Sequence, residues 1–199
     1  MFDFLESLDR NIVLSINQWH TPLLDTFFWV VSKTITWFPF YLLLVYLIWK
    51  NKGWKTALWF VGIALICIAL VDSTTTYFFK ETIQRYRPSH NLLLEGKLHF
   101  YQHTNGDFYR GGQYGFFSSH ASNNAAIAWL AWFFLKDLYR KLHWILIFAV
   151  ALICLSRIYL AVHYPSDILC GLVWGSIWAY LTYTLYRYFV LNTITYKKR

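Results

Sequence analysis

Lys80 and Arg87 stand seven positions apart, and Pro88 follows at once. On a helix that spacing is two turns, so both cations would share a side. Pro88 disfavours helix at Arg87 and marks an exit into a loop. Further on, Ser118 and Ser119 precede His120 and an apolar run. Two serines there read as a helix N-cap, and a helix N-terminus offers free N–H groups and a favourable dipole to an anion. His120 would sit in the first turn, beside that anion. A third stretch contains Ser156, Arg157, His163, Pro165 and Asp167. Pro165 ends one helix or begins the next, which puts Asp167 in a first turn. A carboxylate that close can take the Nδ1 proton of His163 and leave Nε2 free to attack an electrophile. Singly, each residue has a plainer reading: a snorkelling arginine, a solvated histidine, a serine that only caps. Their coincidence is what points to chemistry, because folding does not require it and desolvating such groups beside lipid is costly.

The elements that must position these residues are membrane helices. The chain has 199 residues, 57% hydrophobic and 14% charged, with 11 Trp. Its mean hydropathy is +0.35. The apolar residues fall into long blocks, and a bilayer-spanning helix needs about 20 of them. Five spans are predicted near 24–49, 55–79, 120–136, 143–162 and 167–190, the first kinked at Pro39. Before them, Leu5, Leu8, Ile12, Ile16 and Trp19 recur at helical spacing. Residues 1–20 read as a helix lying in the membrane interface, with a peripheral core helix as the alternative. No cleavable signal is evident, since the first ten residues are amphipathic and acidic. The expected fold is thus an all-α polytopic membrane bundle in one domain, 1–199, with a long loop at 88–118 and a tail at 191–199.

The net charge of +8 would suggest nucleic acid in a soluble chain. Here the basic residues flank apolar blocks, so topology is the better reading and no nucleic acid is expected. Lys50, Lys52 and Lys55, then Lys136, Arg140 and Lys141, then Lys197, Lys198 and Arg199 would all lie on the cytoplasmic side. The three chemical stretches and the 88–118 loop then share the opposite face, towards the periplasm or exterior. Cys67, Cys154 and Cys170 lie inside apolar blocks and read as inert buried thiols.

The ordered triple of stretches resembles the signature of the type 2 phosphatidic acid phosphatase family, the lipid phosphate phosphatases. That pattern is Lys-x6-Arg-Pro, then Pro-Ser-Gly-His, then Ser-Arg-x5-His-x3-Asp. The first is complete as Lys80, Arg87 and Pro88, the third as Ser156, Arg157, His163 and Asp167. In the second, Ser118 and His120 match, while Phe117 replaces the proline and Ser119 the glycine. The resemblance runs over residues 54–180. It implies a bacterial inner-membrane enzyme hydrolysing a lipid phosphate or diphosphate, with no cofactor and no metal. His163 would form a phosphohistidine, with Asp167 orienting it. His120 would protonate the leaving oxygen and then activate water. Lys80, Arg87 and Arg157 would clamp the phosphoryl oxygens, helped by the Ser118 hydroxyl and the amides of Ser118, Ser119 and His120. The small size looks most like bacterial undecaprenyl diphosphate phosphatases. Phosphatidylglycerophosphate phosphatase, lipid A phosphatase and a non-catalytic lipid-binding or transport relative are the alternatives. Oligomeric state is not legible.

Three weaker signals complete the reading. Arg110 is a candidate head-group contact, or a solvated turn residue beside Gly111 and Gly112. His99 and His103 share a helical spacing that metal ligands use, without a fitting third ligand. Lys33 and Asp72, at matched depth in the first two spans, are expected to pair.

Overall fold

The computed structural model describes residues 2–191; Lys197, Lys198 and Arg199 lie outside them. The regular elements are helical: α1 Phe2–Asn17, α2 Pro22–Ser32, α3 Phe38–Lys52, α4 Trp54–Thr74, α5 Glu81–Ile83, α6 Ser119–Leu135, α7 Leu142–Tyr159 and α8 Pro165–Tyr186. A π-helical turn over Thr75–Lys80 joins α4 to α5, making one 30-residue helix from Trp54 to Ile83.

Among the described residues, three helices are long and apolar enough to cross a bilayer: Trp54–Ile83, Leu142–Tyr159 and Pro165–Val190. The stretch Pro22–Ser32 plus Thr34–Lys52 makes a fourth if counted as one, bent by 71°. α6 has 17 residues. At ~1.5 Å per residue it is about 26 Å long, short of a ~30 Å hydrocarbon core. Among the described residues, length and composition give three spans, or four with the bent pair, and α6 is one residue shorter than α7. α6 sits centrally, packed by α3, α4, α7 and α8.

The α6–α8 seam is made by small residues. Ala121, Ser122 and Ala125 of α6 are buried where Gly171, Gly175 and Ala179 of α8 pass. Such residues let helices approach closely where lipid offers no competing hydrophobic drive. A Cβ on Gly175 would stand 2.0 Å from the Ser122 carbonyl oxygen, and one on Gly171 would stand 2.7 Å from that of Ser118. Gly175→Ala must push α6 off α8. It is expected to destabilise the protein by about 1–3 kcal/mol, the usual cost of overpacking. Thermal unfolding in detergent reads this directly; an unchanged midpoint would show that the seam is looser than drawn.

Several local expectations need correction. The bend in the first apolar block falls at Lys33, between Pro22–Ser32 and Thr34–Lys52, not at Pro39. Pro39 lies in the first turn of α3, where a missing N–H costs nothing. Lys33 does not pair with Asp72. Its ammonium lies 4.8 Å from the Trp29 ring centroid at the exposed break. Asp72 accepts from Asn123 Nδ2 at 3.0 Å. Equal depth fixed neither azimuth nor partner. In α1 the side packed inward is Asp9, Val13 and Asn17, while Leu5 and Leu8, and Trp19 just beyond the helix, are exposed. Of the cysteines, Cys170 is exposed on α8 rather than buried.

Candidate active site

Helix α5 stops at Ile83 because Gln84 turns left-handed, with φ 50°. Lys80 and Arg87 therefore do not share one helix face. Lys80 reaches the site from the π-helical turn and Arg87 from the loop that follows. That loop zips its own ends together: Arg87 N–H donates to the Gln113 carbonyl at 3.1 Å and Gly115 N–H to the Arg85 carbonyl at 2.9 Å. The pairing carries the first stretch up to the second. Arg87 Nε then donates to the Tyr114 carbonyl at 3.1 Å. Gly111, at φ +68°, leaves room for this guanidinium; a Cβ there would stand 2.7 Å from Arg87 Nη1.

At the head of α6, Ser118 is the N-cap, and its hydroxyl accepts from the Ala121 amide at 3.4 Å. Its own N–H donates to the Asp167 carbonyl at 3.1 Å. Ser118 thus caps α6 and ties it to α8, while its hydroxyl keeps a hydrogen to donate. The Ser119 and His120 amides have no carbonyl one turn back and remain for a ligand. The Ser119 hydroxyl accepts from Lys80 Nζ at 2.8 Å. Ser119 is helical, and among the described residues only Gln84 and Ala161 combine a side chain with positive φ. The serine in the glycine position therefore meets no steric penalty. Phe117 is buried, its ring 4.6 Å from that of Phe79 and 6.0 Å from that of Trp174.

The third stretch turns tightly after α7. Val162 and His163 both donate their amides to the Arg157 carbonyl, at 3.1 and 3.3 Å. Pro165 opens α8, and Asp167 at N3 accepts from the Tyr164 amide at 2.9 Å. Arg157, His163 and Asp167 are 2%, 1% and 0% exposed. Arg157 Nη2 donates to the Tyr109 hydroxyl at 3.0 Å, but its buried Nε has no protein partner. A buried guanidinium left partly unpaired is expensive, and an oxyanion would complete it.

His163 lies under this positive field. Burial first, then Arg87, Arg157 and Lys80, push its imidazole well below the ordinary 6.5; the Gly115 backbone opposes this weakly. The ring is neutral at pH 7, as a nucleophile must be. The expected hydrogen bond to Asp167 is not formed. Nδ1 stands 3.7 Å from Oδ2, and Asp167 Oδ1 is held by Arg85 Nη1 at 2.6 Å. Burial and cations, not the carboxylate, keep His163 neutral. His120 lies within electrostatic reach of His163, Arg157, Arg87 and Lys80. Burial also works against the Arg87 charge, as does Arg157, and its pKa falls below the ordinary arginine value.

Lys80, Arg87, His120, Arg157, His163 and Asp167 thus converge at the loop end of the bundle. Arg110 does not join them: its guanidinium lies 4.9 Å from the Phe100 ring centroid, exposed to solvent. His99 and His103 have separate roles. His99 Nε2 meets Asp25 Oδ2 at 2.8 Å, and His103 packs its edge on Tyr101. Among the described residues no group of three or more His, Cys, Asp or Glu is arranged to hold a metal. Arg85, Asp9, Tyr109 and Gly115 were not singled out for the site. A Cβ on Gly115 would stand 2.9 Å from Arg87 Cγ and 3.3 Å from Asp167 Oδ2. A lone glycine between Tyr114 and Phe116 was the signal available.

A helical bundle that gathers three buried or half-buried cations and two imidazoles at its end is built to bind an oxyanion beside the bilayer. The model of the PAP2 superfamily matches residues 57–191, and the chain belongs to that superfamily. It is 32% identical over 188 residues to the lipid A 4'-phosphatase of Porphyromonas gingivalis, covering 94% of this chain and 76% of that protein. It is 33% identical over 186 residues to the lipid A 4'-phosphatase of Bacteroides thetaiotaomicron, covering 92% and 79%. Its fold matches the crystal structure of a PAP2-type phosphatidylglycerolphosphate phosphatase from Bacillus subtilis. There the TM-score is 0.67 and the identity 19%, over 92% of this chain and 87% of that one. For Aquifex aeolicus LpxE the TM-score is 0.60 and the identity 23%, over 87% and 93%. The protein is a phosphoric-ester hydrolase acting on membrane lipids, which sets aside the non-catalytic alternative.

Proposed function

We propose that the protein removes a phosphate monoester from a lipid A-type glycolipid, without a metal, through a phosphohistidine on His163. The substrate class rests on the two lipid A 4'-phosphatases, each about a third identical over nearly the whole chain. It displaces undecaprenyl diphosphate, the first choice from the chain's small size, because the motifs read phosphate rather than lipid. The chemistry rests on one observation above all: Arg157 is buried with an unpartnered Nε in a site whose cations bear on a neutral His163.

His163 Nε2 attacks phosphorus in line, and the bond from phosphorus to the lipid oxygen breaks. The negative charge of the bound phosphate offsets the burial and the cations that otherwise favour a neutral His120, and the protonated ring gives its proton to that leaving oxygen. Lys80, Arg87 and Arg157, with the Ser119 and His120 amides, hold the equatorial oxygens as charge spreads onto them. Asp167, near Nδ1, offsets the positive charge of the phosphorylated ring. His120, now neutral, takes a proton from water. The hydroxide attacks phosphorus, the N–P bond breaks, and His163 and inorganic phosphate are released. The site opens to the periplasmic or exterior face of a bacterial inner membrane, with the short basic loops towards the cytoplasm. α1 lies in the interface with Leu5 and Leu8 towards lipid.

Phosphate release from a panel in detergent, with EDTA present, tests this. The panel is bisphosphorylated lipid A, phosphatidylglycerophosphate, phosphatidic acid and undecaprenyl diphosphate. Lipid A is expected to lose one phosphate fastest, at a rate EDTA does not change. Faster release from undecaprenyl diphosphate or phosphatidylglycerophosphate would overturn the substrate, and activity restored only by Mg²⁺ would overturn the mechanism.

A further inference from the structure

Asp9 lies on α1, outside residues 57–191 that match the family model. It is nonetheless 5% exposed, and both carboxylate oxygens are committed beside the site. Oδ2 stands 2.8 Å from Arg85 Nη2 and also accepts from the Ser166 hydroxyl. Oδ1 accepts from the Ser166 amide at 3.0 Å. Arg85 closes the ring, its Nη1 donating to Ser166 Oγ at 2.7 Å and to Asp167 Oδ1 at 2.6 Å. Its guanidinium also lies 4.3 Å from the ring centroid of Tyr164, the N-cap of α8. One cation is therefore shared by two buried carboxylates, one of which faces His163.

We infer that Asp9 is a positioning residue for phosphoryl transfer: by sharing Arg85 it leaves Asp167 the negative charge that the phosphorylated His163 ring needs. This rests on the roles given above to His163 and Asp167. Without Asp9, Arg85 at 2.6 Å would spend its whole charge on Asp167. In so buried a site that charge is poorly screened. The Ser166 amide and hydroxyl would also lose their acceptor, freeing the first turn of α8. The cost falls on the charged intermediate rather than on the bound substrate, so kcat suffers and KM does not.

A purely structural role predicts something else, and α1 supplies the control. Asn17 also ties α1 down, its Nδ2 donating to the carbonyls of His99 at 2.9 Å and Tyr159 at 2.8 Å. Asn17→Ala loosens the same helix without touching the Asp9 ring. The assay uses full-length protein in detergent with dioctanoyl phosphatidic acid as probe. Asp9→Asn is expected to lower kcat by about tenfold or more with KM within about twofold. Asn17→Ala is expected to lower the unfolding midpoint while kcat stays within about twofold. In an Asp167→Asn background, Asp9→Asn should cost less than about twofold more, because its effect passes through Asp167. Should Asp9→Asn not fold, Ser166→Ala removes hydrogen bonds of the ring and no charge. Its expected loss is about threefold in kcat, absent when Asp167 is already Asn. Equal kcat losses in Asp9→Asn and Asn17→Ala, or losses that multiply with Asp167→Asn, would overturn the inference. If Asp167→Asn is impaired but Asp9→Asn is not, this inference alone fails. If Asp167→Asn turns over like wild type, the reading of Asp167 fails with it.

Discussion

His163→Ala is expected to abolish turnover, leaving no more than about 10⁻⁴ of the wild-type rate of phosphate release from any lipid phosphate. The size of the effect follows from the position of the ring. It is 1% exposed, held by its amide and that of Val162 on the Arg157 carbonyl, and kept neutral by burial and three cations. The nearby serines are otherwise engaged: the Ser118 hydroxyl caps α6, that of Ser119 accepts from Lys80, and that of Ser156 bonds back to the Ile153 carbonyl at 2.6 Å. Alanine there leaves the cations in place, so the variant should still bind phosphate. Retained phosphate binding with lost turnover separates a missing nucleophile from a collapsed site. A His163→Ala protein with more than about a hundredth of wild-type kcat would mean that water attacks directly.

His120→Ala is expected to cost about 10²–10⁴ in rate, the usual worth of a positioned general acid and base. The loss should depend on the leaving group. A lipid alkoxide needs the proton, while p-nitrophenolate leaves without one. With p-nitrophenyl phosphate the variant should therefore release a burst of nitrophenol at a nearly normal rate and then stall, because the second step still lacks its base. Stopped-flow absorbance reads the burst. If both substrates slow equally and no burst is seen, His120 is not the acid. The ring belongs to the site because it lies within the field of Arg157, His163, Arg87 and Lys80.

The family could be read from the chain because its chemistry sits in three local stretches. Pro165 at the first turn of α8, Asp167 at N3 and Ser118 at the α6 cap are properties of a few adjacent residues, and helix-end rules reach that far. What lay beyond reach is pairing between distant elements. Asp9 meets Ser166 across 157 positions and Arg85 across 76. Nothing in an amphipathic pattern says which carboxylate of α1 turns inward, and the apolar stripe of Leu5 and Leu8 pointed to the exposed side. The same gap produced the Lys33–Asp72 error, since depth along a helix axis is legible and rotation about it is not. Arg87 was placed on a helix because spacing cannot reveal that Gln84 turns left-handed. The span count turns on length: α6 is apolar enough to look like a span, and at 17 residues it is one shorter than α7 and packed by four other helices.

The central claim is that phosphorus bonds transiently to His163. Full-length protein mixed with a lipid phosphate carrying radioactive phosphorus and quenched in alkali should retain label on the peptide containing His163. Phosphohistidine survives base and is lost in acid. With labelled p-nitrophenyl phosphate, whose leaving group needs no acid, the label should rise in His120→Ala, where the second step stalls, and with either substrate it should vanish in His163→Ala. Label on any other residue, or turnover by wild type with none on His163 at any quench time, would contradict the account.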